Sequence, residues 1–220
     1  MLAAACVKGI FEFIGKDISE NELYSRVLCM EQIMSTGGGW QDQVGGLTPG
    51  IKYFSSRPGQ YQKIDIEHLN LSPAIFEELN ARFCLIFSGQ RRLARNVLRE
   101  EMNQCIAHDP VALDTILKIQ ESCAVMRFYL LRGDITAFAH HITRQFELVK
   151  TLDKGASNTY IEYIFQSCRD LLDGWSVCGA GGGGFLQVIL RKGVDKQHLA
   201  KRIQETFIDC GVEVWDCTLI

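Results

Sequence analysis

The stretch TGGGWQDQVGGLTPG, residues 36–50, sets the tightest limit on how this chain can fold. Six of its fifteen residues are glycine, accompanied by one carboxylate, Asp42, and two amides, Gln41 and Gln43. Glycine at that density lets a backbone take positive φ and approach a ligand closely, and it costs more chain entropy on folding than an ordinary loop does. A merely connecting loop has no use for it. A helix-patterned segment runs into the stretch and a strand-patterned one, Ile51 to Phe54, leaves it, which predicts a glycine loop between the two. Asp42 in such a loop can present its oxygens to a ligand. The plainer alternative is a turn in which Asp42 bonds only its own backbone.

Composition bounds the rest. A chain of 220 residues that is 47% hydrophobic has material for one large domain or two small ones. Lys plus Arg number 23 against 26 Asp plus Glu, a net charge of -3, so no electrostatic footprint points to nucleic acid or an anionic membrane. The 9 cysteines contain no C-x-x-C pair, which predicts buried free thiols in a reducing, cytoplasmic setting rather than a disulfide framework or zinc site. No apolar run reaches bilayer-spanning length. Met1 to Ile14 is apolar but lacks a basic leader and is interrupted by Lys8, so it does not read as a signal peptide.

In chain order, Met1 to Ile14 predicts a helix closed by Gly15, and its first residues carry no cap. Ser19 to Glu22 spells a capping box, after which Leu23, Val27, Met30 and Met34 form one apolar stripe. Glu31 falls in the last turn of that helix, where the dipole disfavours an anion, so its carboxylate wants a cation nearby. Ile51–Phe54 and Lys63–Ile66 predict two short strands, and Asn70–Pro73 a domain boundary. Next come a short helix at Ala74–Asn80, a buried strand at Phe83–Phe87 and a helix carrying Arg91, Arg92, Arg95 and Arg99. Asp109-Pro110 caps a helix with Leu113, Leu117, Ala124, Phe128 and Leu131 on one face. The following helix repeats the pattern at Phe138, Ile142, Phe146 and Val149, and a third does so at Ile161, Ile164, Phe165, Cys168 and Leu172. His140 and His141 have no ligand partners at metal spacing.

The C-terminal part predicts strands at Trp175–Cys178, Phe185–Leu190 and Val212–Trp215, with a helix at Val194–Phe207. Gly179 to Gly184 satisfies G-x-G-x-x-G, but a strand follows where the dinucleotide fingerprint needs a helix, so that reading fails. A strand, glycine loop and strand make a hairpin instead. Its tip either lies flat against a neighbouring site or is slack.

The segment Thr36-Gly37-Gly38-Gly39-Trp40-Gln41-Asp42-Gln43, followed by Gly45-Gly46, resembles the active-site motif of the GHMP small-molecule kinases, most closely their L-fucose kinase branch. The segment from Ser88 to Asn96, the run from Gly179 to Phe185, and Ala3 to Phe11 resemble further family stretches in the same order. The resemblance implies the later half of an N-terminal α/β domain over residues 1–70, and over 71–220 a C-terminal α+β domain, ferredoxin-like and rich in helices. It implies a sugar kinase that uses ATP and Mg²⁺ on the anomeric hydroxyl of L-fucose. Alternatives are a heptose-phosphate kinase and a catalytically silent relative that binds a sugar or a partner protein.

By the same resemblance Asp42 matches the catalytic aspartate and Glu31 the glutamate that faces the metal. Thr36, Gly37, Gly38, Gly39, Gln41, Gly181, Gly182, Gly183, Gly184 and Arg92 fall in the substrate and phosphate loops. The partners implied are a sugar and ATP, with a guanylyltransferase domain fused upstream in a longer product left open. The family's phosphate loop, of Pro-x-x-x-Gly-Leu-Gly-Ser-Ser type, would precede Ala3, and no such segment occurs in these 220 residues. The expectation is that the chain alone is inactive.

Overall fold

The computed structural model describes residues 2–33, 39–57, 63–90, 104–179, 181–215 and 217–219. The chain divides into two compact units, Met1–Lys52 and Tyr53–Ile220, whereas the sequence reading sets the boundary near residue 70.

The first unit is helical. Helix α1, Leu2–Phe13, ends where Gly15 turns left-handed (φ 68°), and the Lys16 N–H closes the turn on the Phe11 carbonyl at 2.9 Å. Helix α2, Glu20–Ile33, starts with Ser19 accepting from the Glu22 N–H (3.3 Å). The Glu22 carboxylate pairs with Arg26 (2.6 Å) one turn on. Leu23 and Val27 are buried against Ala4 and Val7 of α1, with Phe11, Ile18 and Leu47 packed around them. The expected stripe stops there, since Met30 is 37% exposed; Met34 lies outside the described residues.

A correction concerns the glycine stretch. Residues Gln41–Leu47 form a helix, α3, that includes Gly45 and Gly46. Two helical glycines cost about 1 kcal/mol each relative to alanine, and tertiary contacts offset that cost. Val44 and Gln43 are buried, and Lys52 holds the carbonyls at the helix end.

The chain continues through strands β1 (Lys52–Ser56) and β2 (Ile64–His68), which pair as a two-stranded sheet. Helix α4 (Pro73–Arg82) is capped by Ser72. A four-stranded antiparallel sheet follows, in spatial order β4-β5-β3-β6, from β3 (Phe83–Phe87), β4 (Leu172–Val177), β5 (Phe185–Leu190) and β6 (Glu213–Trp215). Helices α5 (Pro110–Arg132), α6 (Ile135–Leu152) and α7 (Thr159–Cys168) connect β3 to β4, and α8 (Lys196–Thr206) connects β5 to β6. This is the ferredoxin-like order with an enlarged first connection.

Alternation decides the core. Cys84, Ile86, Leu186, Val188 and Leu190 point to one face of the sheet and bury against Ile161, Ile164, Phe165 and Cys168 of α7 and Leu199 and Ile203 of α8. Helix α6 covers the β4 edge. The Trp175 N–H donates to Thr143 Oγ1 (2.9 Å), and a Cβ at Gly174 would stand 2.1 Å from the Ala139 carbonyl oxygen. Only glycine admits that approach, which leaves no open edge for strand addition at this point.

The predicted apolar stripe of α5 is real in sequence but faces outward. Leu113 (38%), Leu117 (58%), Phe128 (51%) and Leu131 (39%) are exposed, and the helix packs through Ala112, Thr115, Ser122 and Leu130. The reason lies in α6, whose large apolar residues Ile142 and Phe146 are themselves buried. Its contacts to α5 are half-polar: His141 Nδ1 to Ser122 Oγ (3.4 Å) and Gln145 to the Cys123 sulfur (2.9 Å). Burial lowers the pKa of His141, with Arg144 and His140 adding to the effect. The cysteines are free, as expected, but only some are inert. Burial pushes the thiols of Cys84 to about 11 and Cys168 to about 12, whereas Cys6, Cys29 and Cys210 are exposed.

Candidate active site

In the first unit the site residues sit on the last turn of α2 and on α3. Glu31 meets the expected need for a positive partner through an amide. Gln43 Nε2 donates to Glu31 Oε2 at 2.9 Å. Gln43 is 3% exposed, and its Oε1 is buried with no hydrogen-bond partner. The glutamine the resemblance singles out, Gln41, is instead exposed at the start of α3. Gln43 is the residue that residue-level reasoning passed over, although it stands in the same motif. Asp42, described by its backbone, is the second residue of α3, where the helix dipole favours a carboxylate. Gly39 lies just before the helix, with nothing within 4 Å of a built Cβ. Thr36, Gly37, Gly38, Arg91, Arg92 and Arg95 lie outside the described residues.

Helix α3 is fastened at its far end. Thr48 Oγ1 shares a hydrogen bond with the buried Tyr24 hydroxyl of α2, and burial is the main cause that raises the Tyr24 pKa. Lys52 Nζ donates to the carbonyls of Gly45 (3.2 Å), Gly50 (3.1 Å) and Thr48. An ammonium has three protons, so all are used. Its pKa is lowered by burial. A lysine shortly after a helix end is a recognised partner for its last carbonyls, and that spacing was the available signal for Lys52. Lys52→Met is expected to loosen α3 while leaving α1 intact. Hydrogen exchange at the Thr48 N–H, which bonds Val44 O at 3.2 Å, should accelerate at least ~10-fold, the loss of about 1.4 kcal/mol of charge-assisted bonding. Equal protection in Lys52→Met would reduce Lys52 to a surface charge.

In the second unit the glycine loop is pinned. The Gly182 N–H donates to the Ala156 carbonyl (3.0 Å), and Asn158 Nδ2 donates to the Gly182 carbonyl (3.2 Å). The Gly184 N–H donates to Gln90 O (2.8 Å), and Gly184 O accepts from the Ser88 N–H (2.9 Å). Gly181 has φ 80°, and a Cβ there would lie 2.6 Å from the Ala156 backbone. The loop is therefore held between the turn after β3 and the turn before α7, not slack. Asn158 does double duty, accepting from the Tyr160 and Ile161 N–H groups as the cap of α7 (3.0 Å each).

The fold matches a Leishmania major mevalonate kinase (TM-score 0.70, 14% identity, 99% of this chain and 63% of that one) and a D-glycero-D-manno-heptose 1-phosphate kinase of Bacteroides thetaiotaomicron (TM-score 0.67, 18%, 97% and 61%). No protein-family model matches the chain. Its sequence is 34% identical over 205 residues to the bifunctional fucokinase/GDP-fucose pyrophosphorylase of Arabidopsis thaliana, covering 93% of this chain and 19% of that protein. It is 28% identical over 191 residues to the L-fucokinase/L-fucose-1-P guanylyltransferase of Bacteroides fragilis, covering 87% and 20%. The chain is thus similar in sequence to these two fucokinases over most of its own length, and in fold to these small-molecule kinases. It spans about one fifth of the length of these curated relatives.

Members of such a kinase family use ATP with a divalent metal. The donor chemistry of Glu31 fits Mg²⁺, which takes one or two carboxylates and fills its shell with water and phosphate oxygens. A neighbouring amide fixes the Glu31 carboxylate. Among the described residues no group of three metal-ligating side chains occurs. No helix among the described residues is long and apolar enough to cross a membrane.

Proposed function

We propose that this chain carries the acceptor half of a kinase that phosphorylates the anomeric hydroxyl of L-fucose, giving fucose 1-phosphate. The observation that carries the reading is the Gln43–Glu31 hydrogen bond. It joins a residue of the W-Q-D-Q motif to a carboxylate at metal-facing position, and a surface glutamate would have no buried amide built to hold it. Similarity to the fucokinases over 93% of the chain supports fucose over a heptose phosphate.

In this reading Asp42 accepts the proton of the anomeric hydroxyl as its oxygen bonds to the γ-phosphorus and the bond from that phosphorus to the β-phosphate oxygen breaks, releasing ADP. Glu31, oriented by Gln43, is the carboxylate offered to Mg²⁺. The metal, when bound, neutralises charge on the phosphate oxygens. Gly181 to Gly184 are assigned to the phosphates through the motif, and their backbone bonds to Ala156 and Gln90 hold that loop in one shape. Thr36, Gly37, Gly38, Gly39, Gln41 and Arg92 are assigned to substrate and phosphates through the motif. The natural product of the reaction suits a guanylyltransferase such as the one named in the Bacteroides fragilis relative.

The test is a sugar-dependent kinase assay on the natural protein that contains these residues, with Mg-ATP and a panel of hexoses and 6-deoxyhexoses. Formation of an acid-labile fucose 1-phosphate is expected. Phosphorylation at another hydroxyl, or of another sugar in preference, overturns the reading. Within it, Glu31→Gln is expected to raise the Mg²⁺ concentration for half-maximal rate more than the KM for sugar. An unchanged Mg²⁺ titration would return Glu31 to a structural role.

A further inference from the structure

The base and the tip of the glycine loop are held by different means. The base continues the sheet. The Ser88 N–H donates to Gly184 O (2.9 Å), the Gly184 N–H to Gln90 O (2.8 Å) and the Cys178 N–H to Phe185 O (2.8 Å). Gly182, further out, is gripped at both of its backbone groups by one short segment before α7. Its N–H donates to the Ala156 carbonyl (3.0 Å), and its carbonyl accepts from Asn158 Nδ2 (3.2 Å). We propose that Asn158 is a positioning residue for phosphoryl transfer, setting where the tip of the loop stands against the nucleotide phosphates. The proposal rests on the assignment of Gly181 to Gly184 to those phosphates.

The chemistry of the position selects asparagine. Asn158 Oδ1 accepts from the Tyr160 and Ile161 N–H groups (3.0 Å each) as the cap of α7. With the oxygen so committed, the amide nitrogen must point the other way, and the Gly182 carbonyl is what it meets. Aspartate and serine cap a helix about as well as asparagine does. Aspartate, however, has no proton to give the carbonyl, and a serine hydroxyl is one atom shorter. Of these three strong caps, asparagine alone both caps the helix and reaches the loop. The first turn of α7 thereby fixes the direction of the bond that holds the tip.

The gripping segment is itself anchored. The Gly155 N–H donates to Asp153 Oδ1 (2.8 Å) and the Ala156 N–H to the Asp153 carbonyl (3.1 Å). Ser157 Oγ donates to Glu162 Oε1 (2.6 Å) of α7, which also pairs with Lys150 (3.1 Å) of α6. Ala156 is 2% exposed, and a Cβ on Gly181 would stand 2.6 Å from its backbone, so the tip lies directly on this segment. Asn158 is itself exposed, so a substitution there opens no cavity. Removing its donor should loosen the tip while the base, which belongs to the sheet, stays in place.

The test compares Asn158→Asp, Asn158→Ser and Asn158→Ala in the natural protein that contains these residues. Hydrogen exchange is read by mass spectrometry without substrates. Peptides spanning residues 179–184 should exchange ~5-fold faster or more in all three variants. Peptides spanning α7 should keep wild-type exchange in Asn158→Asp and Asn158→Ser and lose protection in Asn158→Ala, which removes the cap. In Mg-ATP-dependent turnover, kcat/KM for ATP should fall ~10-fold or more in all three, with the KM for sugar near its wild-type value. Wild-type loop exchange in Asn158→Asp and Asn158→Ser overturns the proposal, and so do wild-type kinetics beside a loosened loop. A kinetic loss confined to Asn158→Ala, as a mere cap would give, or to Asn158→Asp, as a mere added charge would give, also overturns it. The exchange measurement needs no turnover and the kinetic one needs any sugar acceptor. Preference for another sugar would therefore overturn the fucose reading and leave Asn158 in its role.

Discussion

Asp42→Asn is expected to lower kcat by ~10²-fold or more in the sugar-phosphorylating protein, with the KM for ATP near its wild-type value. Asparagine keeps the size and shape of the side chain, so α3 and its fastenings at Gln43, Thr48 and Lys52 survive. What disappears is the charged acceptor. Asp42 is the second residue of α3, and its carboxylate is the group the proposed mechanism needs to take the hydroxyl proton. Phosphoryl transfer also rests on positioning and charge neutralisation, so the loss is finite, and residual turnover measures what the rest of the site contributes. The discriminating readout is the split. A fall in kcat at constant melting temperature and constant ATP requirement assigns chemistry to Asp42. Wild-type turnover removes it from the mechanism, and a parallel loss of stability makes it a structural residue.

Periodicity located most elements because it is set by local geometry. β3 and β5 coincide with the apolar runs Phe83–Phe87 and Phe185–Leu190, and the stripe of Ile161, Ile164, Phe165 and Cys168 is the buried face of α7. Helix α3 was illegible because the signal was propensity, and Gly45 and Gly46 argue against a helix until Lys52 and the burial of Val44 are known. The α5 stripe shows a second limit. A period says that one face is apolar, not which body covers it, and α6 had already committed its large side chains elsewhere. At the candidate site Glu31 stood out because an anion at a helix C-terminus is locally uncomfortable. Its partner Gln43 did not, since an amide in a glycine-rich motif has no local discomfort to report. The pinning of the glycine loop by Ala156 and Asn158 is non-local in the same sense.

Arg82→Met is expected to destabilise the second unit by about 3 kcal/mol, the lower end of what breaking a buried ion pair costs. Arg82 is 4% exposed at the end of α4. Its guanidinium donates to four acceptors: the Leu190 carbonyl (2.8 Å), Glu78 Oε1 (2.8 Å), Thr136 Oγ1 (3.0 Å) and Asp173 Oδ2 (2.7 Å). Those groups come from α4, α6, β4 and β5, so one side chain ties the start of α6 to the sheet. Methionine fills much of the volume but leaves the Asp173 carboxylate, 14% exposed, short of its nearest cation. Two contacts soften the loss. Thr136 Oγ1 still donates to Asp173 (2.9 Å), and Arg191 lies 3.8 Å away. A fall of about 3 kcal/mol should lower the melting temperature by ~6–12 °C for a unit of this size. Arg82→Met combined with Asp173→Asn should be more stable than Arg82→Met alone, because the stranded charge is gone. That ordering separates an ion-pair penalty from a packing defect: if the double variant melts at or below the single one, the cost lies in lost packing around the methionine and not in the buried charge.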